Sequence, residues 1–120
     1  MTKPAKLKFT IYQGATFRKR LVWTGPKPAQ LPIDLTGCTA RMQVRAETES
    51  PDVLLELTTE NTGITIDGAA GAIGLYISAE DTSAITWGSG VWDIEIIHPN
   101  GEVTRLAQGS VSVSPEVTRA

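Results

Sequence analysis

Few side chains in this sequence could support chemistry. There is one cysteine, Cys38, and one histidine, His98. A nucleophilic cysteine needs an adjacent base and access to substrate, and no sequence pattern places His98 beside Cys38. Cys38 begins a predicted strand on its apolar face, where cysteine packs as a small hydrophobic side chain. His98 lies at the corner of a predicted hairpin, where we expect it to be exposed and without partners. We therefore predict that neither residue is catalytic.

The acidic residues are spread along the chain. Asp34, Asp52, Asp67 and Asp81 each lie at a predicted turn or helix start, where Asp is frequent for backbone reasons. Their spacing is not that of a calcium-binding loop. The glycines within 68–74 flank a predicted hairpin, whereas a phosphate-binding loop needs a helix after it. We expect no metal ion, no cofactor and no enzymatic activity.

Three tryptophans could serve as sugar-stacking platforms. Trp92 lies on the core side of its predicted strand, and we expect the same of Trp23. Trp87 lies in a glycine-rich loop and is the one that could be exposed. A carbohydrate-binding or adhesion-like module is therefore an alternative function. Trp87 and Tyr76 side by side on one face would favour it.

The net charge of −2 conceals a strong asymmetry. Seven lysines and arginines precede the first acid, Asp34, so residues 1–33 carry +7. Residues 34–120 carry −9, from four basic residues against thirteen acids. Such halves can attract each other between subunits, although a basic edge strand also discourages sheet aggregation. The candidate protein-contact residues are Arg18, Lys19, Arg20, Lys27 and Pro28.

The remaining composition bounds the class of protein. The 120 residues suffice for one domain, and 41% hydrophobic with 20% charged residues predicts a packed core. No run approaches the ~20 apolar residues of a membrane span. The N-terminus lacks the apolar region of a signal peptide, and one cysteine excludes an internal disulfide. We expect a reducing compartment, or a particle assembled in one.

Alternating apolar and polar residues predict eight or nine short strands with turns between them. The only helical candidate is 78–85, and the proline-rich loop 25–32 is expected to be a crossover or contact loop. We predict a single antiparallel β-sandwich over 1–120, immunoglobulin-like or related, with a small barrel as the alternative. Residues 1–5 form a loose arm and 114–120 a tail. The predicted core contains Phe9, Phe17, Trp23, Met42, Val44, Leu55, Leu75, Ile77, Trp92, Ile94, Ile96, Val111 and Val113.

The stretch 90–113 contains the clearest hairpin. Its turn, residues 98–101, predicts a type I turn followed by a bulge, which requires a positive φ at Gly101. The register then places apolar residues opposite apolar ones and Glu opposite Arg. The predicted pairs are His98 with Glu102, Ile96 with Thr104, Glu95 with Arg105, and Ile94 with Leu106.

Several of these stretches, taken together, resemble small β-sandwich proteins encoded in the structural modules of tailed bacteriophages and prophages. The matching stretches are DLTG at 34–37 with the strand CTARMQVR, LTTENTGITID at 57–67, GAAGAIGLYIS with SAEDT, and VWDIEIIHPNGEVTRLAQGSVSVSPEVTR at 91–119. The closing pattern in those proteins is similar to 109–119 here. The resemblance covers most of the chain from about residue 31 onward.

This resemblance implies a non-enzymatic virion component. The candidates are a neck or collar protein at the head–tail junction, a tail or baseplate component, or a fibre-attachment module. Its partners would be other phage structural proteins and copies of itself, and it would be assembled in the host cytoplasm. We expect no membrane, nucleic acid or small-molecule ligand.

Overall fold

A computed structural model describes residues 4–26 and 29–119. Within them, eight strands form two sheets, and each strand lies where alternation predicted one. The five-stranded sheet has the order β1-β8-β7-β3-β4 and the three-stranded sheet the order β2-β6-β5. The elements are β1 (Ala5–Tyr12), β2 (Phe17–Val22), β3 (Thr39–Arg45), β4 (Leu55–Thr58), β5 (Ile64–Asp67), β6 (Ala72–Ile77), α1 (Ala79–Ser83), β7 (Ser89–Ile97) and β8 (Val103–Ser114).

The core lies between the two sheets, on the apolar face of each alternating strand. At its centre the rings of Phe9 and Trp92 stack with their centroids 4.5 Å apart and an interplanar angle of 8°. Of the predicted core, nine residues are buried, while Phe17, Trp23, Leu55 and Val113 are half-buried and pack against it. The buried residues that the prediction missed include Leu35, Leu57, Ile64, Ile73, Ile85 and Leu106.

The β7–β8 hairpin follows the predicted register only near its turn. The His98 amide donates to the Glu102 carbonyl over 2.8 Å, and Gly101 has φ +91°, both as predicted. A bulge then shifts the register, so Ile94 pairs with Ala107 and the predicted pairing with Leu106 is wrong. The extra residue lets two consecutive apolar side chains, Leu106 and Ala107, both be buried.

The sheets are not wholly antiparallel, which corrects the prediction. β1 pairs with β8 in the parallel direction along its whole length, from Ala5 with Ala107 to Tyr12 with Ser114. A parallel pair needs a long connection between its strands, and here the rest of the fold provides it. The sequence did not predict this pairing, because β2, the strand that follows β1 in the chain, belongs to the other sheet.

The parallel pairing of β1 with β8 requires a residue without a side chain, Gly109. A Cβ atom on Gly109 would lie 1.6 Å from the Leu7 carbonyl oxygen, so β1 can approach β8 only if residue 109 is glycine. On the other side, the indole nitrogen of Trp92 donates to the Ser110 carbonyl over 3.0 Å. β8 therefore contacts β1 closely at Gly109 and accepts a hydrogen bond from β7 at Ser110, the next residue.

α1 is a single turn that fastens two loops, and it lies within the predicted helical segment. Ser78 caps it, since its hydroxyl accepts from the Asp81 amide over 3.1 Å. The fully buried Thr82 accepts from the Gly14 amide over 3.0 Å and donates to the Ala15 carbonyl over 2.9 Å. The turn between β1 and β2 is thereby fixed to the segment that leads into β7.

Both predicted termini differ from the structure. Ala5 already belongs to β1, so the prediction that a loose arm extends to residue 5 is wrong, and the rest of that prediction, residues 1–3, lies outside the described part. Ser114 still belongs to β8, and the Glu116 amide donates to the Gln13 side chain over 2.9 Å. The predicted tail 114–120 is thus anchored to the body as far as Glu116.

The proline-rich loop connects the two sheets, as predicted for a crossover. The Gly25 amide donates to the Leu31 carbonyl over 2.7 Å, which closes the loop at its base. Beyond it, the Ile33 amide donates to the Trp23 carbonyl over 2.9 Å. Lys27 and Pro28, both predicted contact residues, lie outside the described residues. Among the described residues, no helix has the length and apolar character needed to cross a membrane.

Gly109→Ala should destabilise the protein, by roughly 1–3 kcal/mol, because the added methyl forces β1 and β8 apart. Gly88→Ala is the matched control, since a Cβ there meets nothing within 4 Å. Urea denaturation measures both free energies of unfolding. Equal values for the two variants would show that β1 does not approach β8 this closely.

Candidate functional site

The structure brings together the two reactive residue types that the sequence left apart. The sulfur of Cys38 lies 3.7 Å from Nδ1 of His98, and Nε2 of His98 lies 3.0 Å from the Thr104 hydroxyl. The imidazole is half-buried, and its ring centroid is 6.4 Å from that of Trp23. The expectation of an exposed, unpartnered histidine is therefore wrong.

Strand pairing explains this contact. β3 and β7 are antiparallel neighbours in which Thr39 pairs with Ile97, so the residue before β3 meets the residue after β7. The sequence signal for the contact is this register, in which Ala40, Met42 and Val44 all face the buried residues of β7. Neither Cys38 nor His98, considered alone, predicts the contact.

The electrostatics of the pair oppose an activated thiol. Burial raises the pKa of the Cys38 thiol, and the negative charge of Asp34 raises it further. The Thr36 hydroxyl and amide donate to Asp34 over 2.6 and 2.9 Å, and these bonds lower the pKa of that carboxyl. Asp34 thus stays ionised beside a thiol that stays protonated. A nucleophilic cysteine needs the opposite shift.

The residues described hold no cluster of three or more His, Cys, Asp or Glu side chains that could bind a metal ion. The four aspartates singled out in the sequence, Asp34, Asp52, Asp67 and Asp81, do not form such a cluster. Asp34 accepts from the Thr36 amide in the turn before β3, Asp67 ends β5, and Asp81 lies in the first turn of α1.

The aromatic platform required for sugar binding is not assembled in the described part of the chain. Trp87 is half-buried and packs against the core, and Trp92 lies inside it. Tyr76 lies on the outer face of the three-stranded sheet, where the Arg18 guanidinium sits 4.6 Å from its ring centroid. Its ring therefore already has a partner, and it makes no pair with Trp87.

The remaining predicted site lies on β2, an edge strand of the three-stranded sheet. Arg18, Lys19 and Arg20 are all exposed there. Arg18 pairs across the sheet with Tyr76, and Arg20 pairs with Gly74, so both project from the outer face. Lys19 projects the other way, to the rim between the sheets, with its Nζ 5.9 Å from the Phe9 ring centroid.

The three cations on β2 have no carboxylate partner within the described residues. The two ion pairs found there, Arg41 with Glu95 at 2.9 Å and Arg105 with Asp93 at 3.6 Å, lie on the outer face of the five-stranded sheet. In that cluster, burial raises the pKa of the Asp93 carboxyl, and the charge of Glu95 adds to the effect despite Arg105. The charges there form ion pairs with each other, whereas the exposed cations of β2 do not take part in either of these pairs.

The outer face beside β2 is a shallow open trough. Its floor is Gly74, which pairs with Arg20 on one side and with Thr65 on the other. A Cβ at residue 74 would lie 2.7 Å from the Thr65 hydroxyl, so the Thr65 side chain lies close against Gly74.

Comparison with protein-family models and with curated proteins finds no match to this chain.

Cys38 should react with iodoacetamide at neutral pH more slowly than a free cysteine, because its raised pKa leaves less thiolate. Asp34→Asn should accelerate the reaction and move its pH profile to lower pH, since the charge that raises the pKa is removed. Asp52→Asn, at an exposed position outside the Cys38–His98 cluster, is the control. Alkylation faster than that of free cysteine would instead show that His98 activates the thiol as a base.

Proposed function

We propose that the protein is a non-enzymatic structural component of a tailed-phage virion and binds a neighbouring subunit through β2. The observation that carries the proposal is the set of three exposed cations on an edge strand, Arg18, Lys19 and Arg20, which have no carboxylate partner among residues 4–26 and 29–119. Cations that make no internal ion pairs add little to the stability of the monomer. They can steer and orient an acidic partner surface, so binding is the role they fit.

The resemblance of residues 31–119 to phage β-sandwich proteins supplies the kind of assembly. A position in the neck or collar, the tail or the baseplate fits a small module of this kind, and so does a fibre-attachment role. Such particles use many copies of small rigid domains. The protein would be assembled in the host cytoplasm and reside in the virion, with other structural proteins and further copies as partners.

We further propose that the sandwich is of the immunoglobulin-like type. The order β8-β7-β3-β4 corresponds to strands G, F, C and C′ of that fold, and β2-β6-β5 corresponds to B, E and D. One feature differs from antibody domains: the buried tryptophan, Trp92, is on β7 rather than on the strand that corresponds to C, and it stacks on Phe9 in place of a disulfide. Immunoglobulin-like domains serve in binding, which agrees with the proposed role.

The virion assignment is tested by following the chain in a lysate of host cells that produce the phage. Antibody against the purified protein should detect it in the band of tailed particles after density-gradient sedimentation. Gold-labelled antibody should then mark one fixed place on each particle in electron micrographs. Detection only among soluble, unassembled proteins, with no label on particles, would overturn the proposal.

The contact through β2 is tested by charge reversal. The variant R18E/K19E/R20E should be incorporated into particles at least about tenfold less than wild type at low salt, because like charges then oppose each other. The difference should narrow at high salt, where screening already weakens the wild-type contact. R18Q/K19Q/R20Q should lie between the two, and urea denaturation checks that all three fold. Incorporation of the reversed variant at the wild-type level in low salt would exclude β2 as the contact.

A further inference from the structure

In the folded protein, basic residues from the first part of the sequence and acidic residues from the later part lie on opposite sides, here called the basic and acidic flanks. β1 and β2 are edge strands of different sheets, and they lie on the same side of the molecule, since Phe9 and Phe17 meet with ring centroids 5.9 Å apart. All the charged side chains on these strands are basic and exposed. The basic flank is defined by Lys6, Lys8, Arg18, Lys19 and Arg20.

The opposite side carries the other two edge strands, β4 and β5. They are adjacent at the turn that joins them, where a Cβ on Gly63 would lie 2.7 Å from the Leu57 side chain. The segment 46–67 contains no lysine or arginine, and each of its acids is exposed. The acidic flank is defined by Glu47, Glu49, Asp52, Glu56, Glu60 and Asp67.

Across the five-stranded sheet, the two flanks lie too far apart to neutralise each other within one molecule. β1 and β4 are separated by four strand spacings, about 19 Å, which exceeds the Debye length of ~8 Å at physiological ionic strength. β2 and β5 are only two spacings apart, about 10 Å, and Asp67 of β5 lines the same open trough as Arg18 and Arg20 without forming an ion pair with them. Neither ion pair among the described residues joins one flank to the other.

We infer that the neighbour bound by the basic flank is a second copy of this chain, which presents its acidic flank. The inference rests on the proposed structural role and names its partner. Contact between two basic flanks or two acidic flanks would oppose like charges, so a symmetric dimer through either flank is disfavoured. Basic against acidic is a head-to-tail contact, which leaves one flank of each kind free and generates a ring or an open filament.

The contact is made by side chains rather than by pairing of edge strands. Lys6 and Lys8 flank the free edge of β1, and charged residues at such positions oppose the addition of another strand. Arg18 is already oriented by Tyr76, so it loses less side-chain freedom when a carboxylate binds to it. The association is therefore expected to be weak between single copies and strongly dependent on salt.

Sedimentation velocity of the purified full chain tests the inference. Wild type should self-associate at about 10 mM salt and be at least about tenfold weaker in self-association at about 500 mM, where the Debye length is a few ångströms. R18E/K19E/R20E should remain monomeric at low salt. D52K/E56K/E60K, which reverses the other flank, should also remain monomeric. A wild-type chain that stays monomeric at low salt would overturn the inference.

Two complementation experiments separate a direct contact from a general effect of charge. An equimolar mixture of the two reversed variants should associate, because each then offers a flank that is complementary to the other. The variant that combines all six substitutions has both flanks reversed and the wild-type net charge of −2. It should regain self-association. Circular dichroism and urea denaturation establish that every variant folds. Association of the single-flank variants alone, or failure of both rescues, would contradict the inference.

The outcomes also distinguish this inference from the proposed function. A chain that sediments with phage particles but shows neither self-association nor rescue binds a different neighbour, and only the inference fails. A chain that self-associates with rescue but never enters particles retains the head-to-tail contact and loses the virion role. Salt-dependent binding of the basic flank to a DNA oligonucleotide, without self-association, would also reject a second copy as the partner.

Discussion

The contact between the Leu7 carbonyl and the bare Cα of Gly109 is the constraint on which the rest of the arrangement depends. It allows β1 to join the five-stranded sheet, and β1 in turn places Phe9 on Trp92 at the centre of the core. Phe9 also supports Phe17 and the rim where Lys19 emerges. A change in backbone spacing at one glycine would therefore reach the basic flank through a continuous series of packed rings.

The Cys38 thiol is kept protonated, whereas the charged side chains of the edge strands are exposed. The thiol and imidazole are close enough for chemistry, yet burial and the charge of Asp34 keep Cys38 protonated. On the outer face of the larger sheet, opposite charges lie side by side and satisfy each other, as Arg41 and Glu95 do. Each edge strand holds charges of one sign only, positive on β1 and β2 and negative on β4 and β5. That distribution provides the charge complementarity that the proposed contact between subunits requires.

The sequence predicted the strands well because period-two alternation is a local property, and one buried face sets its phase. It also predicted the turn at Gly101, since the required positive φ leaves few residue types. The bulge at Ile94 could not be seen, because it depends on whether Leu106 and Ala107 can both reach the core. The Cys38–His98 contact and the parallel β1–β8 pair were missed for a related reason. Both arise from strands far apart in the chain, whose order in a sheet is set by global packing.

The candidate site shows the same division between local and global information. The basic character of Arg18, Lys19 and Arg20 and their place on a strand were evident from composition and alternation. Their location on a flank opposite all the acids of residues 46–67 was not, because it requires the strand order of both sheets.

The β1–β8 pairing also has a consequence for how the chain folds. Ala5 finds its partner, Ala107, only about 100 positions later, so this contact has a very large sequence separation. Loops of that length are costly to close early, and domains rich in such contacts fold slowly. Until β8 has paired with β1, the apolar faces of β1 and β2 are not fully covered. The lysines and arginines of these strands then have a second use, because they repel other unfinished copies during the interval in which aggregation is most favourable.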